Sequence, residues 1–427
     1  MSLSPIAIAS IILIITLFLK IPVFISILAG SSVYFMLQPE LPGQITAQRL
    51  IAGIELIPLL AIPFFIFAGI IMNYSGVTSR IMRFAEVLMK KVPGGLAQVN
   101  VSLSLLMGGL SGSNLADAAM ESKMLVPEME KRGFSKEFST VITAVSAIIM
   151  SLIPPSIAMI VFGSVANASI GRLFIAGIIP GVLLCLTMMV LVAFISVKRK
   201  YSNEMIEKVP FGKAFRGAIV PLLLPIVLIG GIRFGVYTPT EAGAVFIVFA
   251  VGLSIVYKEF KFKYIAQALK ETVTTTASIM LIMGAASAFA WVLTKERIPQ
   301  QISEFIVGHI SNKYVFLIIL NLFLLFVGMF IEGNAAMIVL VPLFIPISRA
   351  YGINDIQFGI MFVFNMCCGC VTPPIGTLTF VTCGITKCKL AAFWKEAIPF
   401  YILLVFVLML LTFFPPFTLS LVDLVWK

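Results

Sequence analysis

Gly109-Leu110-Ser111-Gly112-Ser113-Asn114, followed downstream by Pro154-Pro155-Ser156, is the stretch whose reading decides the fold, because its order of parts occurs twice. An apolar arm reaches the polar tip at 111–114, turns back through Leu115–Met129 with Pro127, and continues into an apolar run broken at the paired prolines. In the second half, Phe323–Gly328 reaches a tip at Glu332-Gly333-Asn334 and turns back through Ala335–Ile347 with Pro342. The following run is broken at Thr372-Pro373-Pro374-Ile375-Gly376-Thr377. Broken or re-entrant segments at corresponding places in two halves point to the central binding site of a secondary transporter.

The rest of the chain supplies the setting for these breaks. Its 427 residues are 60% hydrophobic and 11% charged, with a mean hydropathy of +1.09, whereas soluble domains carry about 25% charged residues. This is an all-α polytopic membrane protein. The runs have helical length, unlike the ~10-residue alternating segments of an outer-membrane barrel. Ser2–Leu19 lacks a basic n-region and a small-residue cleavage site, so it reads as a retained span. A net charge of +11 would suggest nucleic acid in a soluble protein. Here it reads as basic loops that fix orientation, with lipid and not nucleic acid as the surroundings. Cys367, Cys368, Cys370, Cys383 and Cys388 sit in or beside one apolar span. They read as small polarizable packing residues, with a metal site as the less favoured alternative.

Apolar runs place spans near 3–20, 22–38 and 52–73, an amphipathic stretch at 75–91, a first hairpin at 96–130, a broken span at 137–168 and a span at 173–197. A basic loop, 198–216, divides the halves. Spans at 218–236 and 239–257 follow, then a basic connecting helix at 258–270, a span at 272–294 and an amphipathic stretch at 297–312. The second hairpin occupies 314–350, the second broken span 354–386, and the last span 397–416. By unit, 1–73 reads as scaffold and 74–95 as connector, with the first transport core at 96–170 and a span and loop at 171–216. The second half gives scaffold at 217–271, span and connector at 272–313, the second transport core at 314–386, and span and tail at 387–427. With the dividing loop in the cytoplasm and each hairpin returning to its own side, 22 of the 30 basic residues fall inside, as orientation by lysine and arginine requires. The two halves then enter the membrane with opposite polarity, as inverted-topology repeats do.

Non-helical backbone survives at membrane depth only where protein or a wet cavity surrounds it. Paired prolines remove N–H donors and free carbonyls one turn earlier. Freed carbonyls and hydroxyls are hard oxygen ligands for a small cation, and half-helix N-termini suit a carboxylate. Two cation sites are expected, one per repeat. The first uses Ser111, Ser113 and Asn114 with carbonyls around Ile153-Pro154. The second uses Gly328, Glu332, Asn334, Gly369 and Thr372. Serine and glycine in membrane helices also serve close packing. Glu332, a carboxylate at a hairpin apex, is a functional candidate by default, the alternative being a tip that merely meets water. Asp117 reads as a dipole partner at a helix start, with a place in the site as the alternative. Thr238-Pro239-Thr240-Glu241 reads as a capped helix start, and Arg233 as architectural. His309 lies on an amphipathic segment. No nucleotide loop or nucleophile–base pair occurs, so catalysis is not expected.

Five motifs in order over essentially the whole chain resemble the large membrane subunit of TRAP (tripartite ATP-independent periplasmic) transporters, within a superfamily of ion-coupled elevator carriers. They are 109–114, Pro154-Pro155-Ser156, Tyr237-Thr238-Pro239-Thr240-Glu241-Ala242, Glu332-Gly333-Asn334 and 372–377. The resemblance implies a bacterial inner-membrane protein that works with a small four-helix membrane subunit, here expected as a separate chain, and a periplasmic solute-binding protein. It implies import of a carboxylate-bearing solute driven by sodium ions, with the hairpin domain moving as an elevator. Ser111 and Ser156 would face the substrate carboxylate with Glu332 opposite, and Thr377 would join them. Sialic acid, C4-dicarboxylates, sugar acids and keto acids all remain open. The rival readings are a stand-alone ion-coupled carboxylate carrier, an intramembrane enzyme or a channel.

Overall fold

The computed structural model describes residues 4–19, 21–201 and 210–426, and the side chains of Phe18 and Ser111 lie outside that description. Lys20 and residues 202–209 of the basic loop expected at 198–216 therefore fall outside the described residues. Everything else is helix and connection. The first half runs α1 (Pro5–Phe18), α2 (Val23–Met36), α3 (Gln44–Ile54), a 3-10 turn (Ile57–Leu60), α4 (Ala61–Tyr74) and α5 (Val77–Met89). It continues as α6 (Gly95–Ser111), α7 (Asn114–Lys131), α8 (Lys136–Met150), α9 (Ile157–Ala166) and α10 (Ile170–Arg199). The second half comprises α11 (Phe211–Arg233), α12 (Pro239–Val256), α13 (Phe262–Lys295), α14 (Ile298–His309), α15 (Lys313–Gly328) and α16 (Gly333–Ala350). After these come α17 (Asp355–Gly369), α18 (Thr377–Thr386), α19 (Leu390–Phe413) and α20 (Pro416–Val425). Seven of the described helices are long and apolar enough to cross a bilayer.

Both hairpin tips and both proline breaks interrupt the helices where the sequence places them. The elements α6 to α9 measure 17, 18, 15 and 10 residues, and α15 to α18 measure 16, 18, 15 and 10. Their packing is reciprocal. The returning arm of each hairpin lies against the short half-helix of the other half, α7 on α18 and α16 on α9. The first arms lie on their own broken helices, α6 on α8 and α15 on α17, and the scaffold pairs α3 with α13 and α4 with α12.

Three boundaries differ from expectation. The span expected at 52–73 is not continuous: α3 ends at Ile54, Leu56 is extended, and a new start at Ile57 follows with Pro58 in its first turn, where a missing N–H costs nothing. The connecting helix at 258–270 and the span at 272–294 are one 34-residue helix, α13, since no glycine or proline occurs between Phe262 and Met283. The last span begins at Leu390, and the tail is itself helical, α20, started by Pro416 at its first position. At the expected capped start, Thr238 and Glu241 form a reciprocal capping box, with the Thr238 N–H donating to Glu241 Oε2 at 2.7 Å. Arg233 donates to the Val425 carbonyl and lies over the Trp426 ring, tying α11 to α20.

Candidate functional site

Three of the four helices that begin at a break or a tip are capped by the residue the sequence supplies there. Ser113 accepts from the Ala116 N–H to start α7, Ser156 from Met159 to start α9, and Glu332 from Ala335 to start α16. These side chains satisfy N–H groups that a helix start leaves without intrahelical partners. The start of α18 is different: it follows Gly376 and has no side-chain cap. Gly376 holds φ +58°, and a Cβ there would stand 2.9 Å from the carbonyl oxygens of Cys370 and Thr372 and 3.2 Å from Thr379 Oγ1. Only glycine leaves that ring of oxygens open.

The tips meet the breaks of their own halves. The Ile157 N–H reaches the Gly112 carbonyl at 3.5 Å, and the Gly376 N–H donates to the Met329 carbonyl at 3.1 Å. Gly328 and Gly369 touch backbone to backbone, and the Thr372 hydroxyl donates to the Gly369 carbonyl at 3.0 Å. Gly328, Gly369 and Thr372 are thus together, but behind the tip and not on the wall of the central cavity. Pro154 is likewise withdrawn, its carbonyl oxygen packed 3.2 Å from where a Gly109 Cβ would stand.

The central cavity, about 550 Å³, is lined by residues of both tips, Gly112, Ser113 and Asn114 from one and Glu332, Gly333 and Asn334 from the other. Thr377 at the start of α18, Ser151 at the first break, and Thr274, Thr275 and Ser278 of α13 complete its polar wall. Asn334 donates to Glu332 Oε1 at 2.9 Å, so the expected pairing of these two with Gly328 and Thr372 gives way to a pairing with each other. Ser156, expected to face the substrate, is buried away from the cavity. Its hydroxyl donates to the Ser151 carbonyl at 2.7 Å, which leaves Ser151 as the serine on the wall. Ser111 ends α6; its side chain lies outside the described residues.

Several residues were not read from the sequence as lining the site. Cys367 and Cys370, read as packing residues and one turn apart at the end of α17, line the cavity. The Asn114 amide reaches Cys367 Sγ at 3.9 Å, and Cys370 Sγ sits beside Gly333, so the two thiols touch opposite tips. Within α7, Asp117 stands in the first turn, the helix-start position read for it, and is buried with a bond to Asn73 of α4. Glu121, one turn on, is buried and accepts from Ser104 at 3.2 Å. Asn100 receives the Ser146 hydroxyl at 3.2 Å and donates to Thr143 at 2.7 Å, while Asn365 donates to Asn321 Oδ1 at 2.7 Å. Asn100 and Asn321 each precede their tip glycine, Gly112 and Gly333, by 12 positions, a repeat signal present in the sequence. A second cavity of about 540 Å³ adjoins the first. It carries Asn73, Lys270 and Glu271, and shares Ser113, Thr274 and Thr275 with it.

The profile of the family described as "Tripartite ATP-independent periplasmic transporter, DctM component" matches residues 10–417. The chain belongs to the TRAP transporter large-permease family. It is 37% identical over 411 residues to the sialic acid TRAP transporter large permease protein SiaM of Vibrio cholerae, covering 96% of each chain. The C4-dicarboxylate TRAP transporter large permease protein DctM of Pseudomonas aeruginosa is 34% identical, with 92% of each chain covered. These TRAP relatives are transporters and not enzymes, which sets aside the intramembrane-enzyme reading. Among solved structures, the YdaH transporter of Alcanivorax borkumensis superposes with a TM-score of 0.66 at 14% identity, over 87% of this chain and 88% of that one. MtrF of Neisseria gonorrhoeae gives 0.61 at 13% identity, over 98% and 95%. At such identities the likeness is one of fold: a multi-pass membrane-transporter fold of helices.

Proposed function

We propose that this TRAP large permease is the translocating subunit of a sodium-coupled importer of a carboxylate-bearing organic solute. It sits in the bacterial inner membrane and works beside a small four-helix membrane subunit and a periplasmic solute-binding protein. The observation that carries the reading is the convergence of both hairpin tips and the uncapped start of α18 on one cavity. The N–H groups and positive dipole end at Thr377 would hold the carboxylate, with Asn114 and Ser151 adding hydrogen bonds. The reciprocal packing of α7 on α18 and α16 on α9 supports two repeats of opposite orientation that share one site at their interface.

For the cation, the donor set fits. The carbonyls of Cys370 and Thr372 and the hydroxyl of Thr379 crowd together against Gly376 at the second break, and hard oxygens suit Na+. In the first half it is the tip glycine that meets a break carbonyl: the Pro155 oxygen lies 3.2 Å from where a Gly112 Cβ would stand. When bound, sodium supplies positive charge beside the carboxylate seat and draws tip and break together. Tips ordered in this way would complete the carboxylate site, which couples the two ligands. If two cations move with one monoanion, a potential of 100 mV adds ~2.3 kcal/mol per cycle. Elevator movement of the hairpin core past α3, α4, α12 and α13 would then carry the site across.

Vesicles containing this chain with its small subunit and binding protein test the proposal. Uptake should appear on imposing an inward sodium gradient and vanish with choline in its place. Uptake indifferent to external sodium would rule out the mechanism.

A further inference from the structure

The charges around the central cavity restrict its cargo further than "carboxylate", an inference that rests on reading this cavity as the solute site. Among the described residues that line it, Glu332 is the one charged side chain, and none is Lys, Arg or His. Glu332 is held in place by hydrogen bonds from the Ala335 N–H at 3.0 Å and the Asn334 side-chain amide at 2.9 Å, with the Asn334 backbone N–H also directed at it. A carboxylate has about four acceptor positions, so the remainder faces the cavity. It favours a ligand that donates hydrogen bonds and opposes one that brings another negative charge. The remaining polar wall is hydroxyl and amide, from Asn114, Ser151, Ser278 and Thr377. The nearest cation named on either wall, Lys270, belongs to the adjoining cavity and is followed directly by Glu271.

We propose that the cargo is a hydroxylated or amine-bearing monocarboxylate, and that Glu332 is the residue that selects against dicarboxylates. One carboxylate is held at the α18 start. A second one, anywhere within reach of Glu332, would meet a like charge at short range. A hydroxyl, ammonium or amide N–H in that place would instead complete Glu332's hydrogen bonding.

Cys367 and Cys370 provide the readout, since they line the cavity while Cys185, Cys368, Cys383 and Cys388 do not. The full chain in lipid nanodiscs, in sodium buffer, is labelled with N-ethylmaleimide, and each cysteine is followed by peptide mass spectrometry. The probes are gluconate and N-acetylneuraminate as hydroxylated monocarboxylates, succinate as a dicarboxylate, and hexanoate as a monocarboxylate without a donor. At least one hydroxylated monocarboxylate should protect Cys367 and Cys370 at about tenfold lower concentration than succinate or hexanoate, a factor of ten being 1.4 kcal/mol. Glu332→Gln should narrow the gap for succinate, and Glu332→Asp, which keeps the charge, should not.

Succinate or hexanoate protecting as well as the hydroxylated acids in the unaltered protein would overturn the selectivity. So would a Glu332→Gln protein that still binds gluconate or N-acetylneuraminate and still rejects succinate. Should Glu332→Gln fail to fold, the comparison of probes on the unaltered protein decides alone. Protection by no carboxylate, with sodium or without, would remove the solute-site reading itself and this inference with it.

Discussion

At the scale of single residues, the contact between Gly328 and Gly369 sets a tight steric condition between the second hairpin and its broken helix. A Cβ on Gly369 would stand 2.6 Å from the Gly328 Cα and 2.7 Å from its carbonyl carbon, both backbone atoms that cannot swing aside. Gly369→Ala is therefore expected to cost about 1–3 kcal/mol, as overpacking does, and to abolish sodium-dependent uptake. Gly384→Ala, with nothing within 4 Å of its Cβ, serves as the control and should be neutral or gain up to about 1 kcal/mol. Thermal unfolding of the two purified variants separates them, and equal midpoints would contradict the close approach. Glu332 has two duties here. Glu332→Ala should lose ~1 kcal/mol from the missing helix cap as well as changing what the cavity accepts, and a midpoint unchanged from the parent would show that the cap contributes nothing. This scale was only half legible beforehand. The polar residues at each break stood out against apolar sequence, but nothing in their spacing said which hydroxyls turn inward. Ser156 spends its hydroxyl on its own helix start and on Ser151, whereas Thr377, on an uncapped start, faces the cavity.

At the scale of elements, the interrupted helices could be read in advance because proline and glycine act locally. Pro154-Pro155 and Pro373-Pro374 end their helices by removing donors, whatever packs around them. The faults lay where a boundary depends on neighbours. The 34 residues of α13 were divided in two because a basic, then apolar composition suggests a surface helix followed by a span, although no breaker residue separates them. The buried amides were overlooked because a lone asparagine in an apolar run gives no periodicity. They tie each hairpin to its broken helix: Asn100 of α6 bonds Thr143 and Ser146 of α8, and Asn321 of α15 bonds Asn365 of α17 and Thr412 of α19. Hydrogen bonds between membrane helices average ~0.6 kcal/mol and reach ~1.7. Asn321→Leu loses two such bonds, with Asn365 and Thr412, and should lower stability by about 1–3 kcal/mol, against ~1 kcal/mol or less for Asn312→Ala, whose side chain only caps the start of α15 at an exposed site. Chemical unfolding in detergent would measure the difference, and the reverse order would argue against a structural role for the amide.

At the scale of the whole molecule, the count of basic residues assigned an orientation to every loop, yet it could not describe a cavity, because cavities form between elements remote in sequence. Asn114 and Asn334 lie on one wall although 220 positions separate them. The two chambers meet at Ser113, Thr274 and Thr275. Any passage between them would be framed by these three short hydroxyl side chains. Its width is set by how near the first hairpin stands to α13. Thr275→Trp should wedge that opening: solutes would still protect Cys367 from maleimide, while flux into vesicles falls to background. Flux persisting through such an obstructed threshold would mean that the adjoining chamber is not on the route, and that cargo leaves by another side.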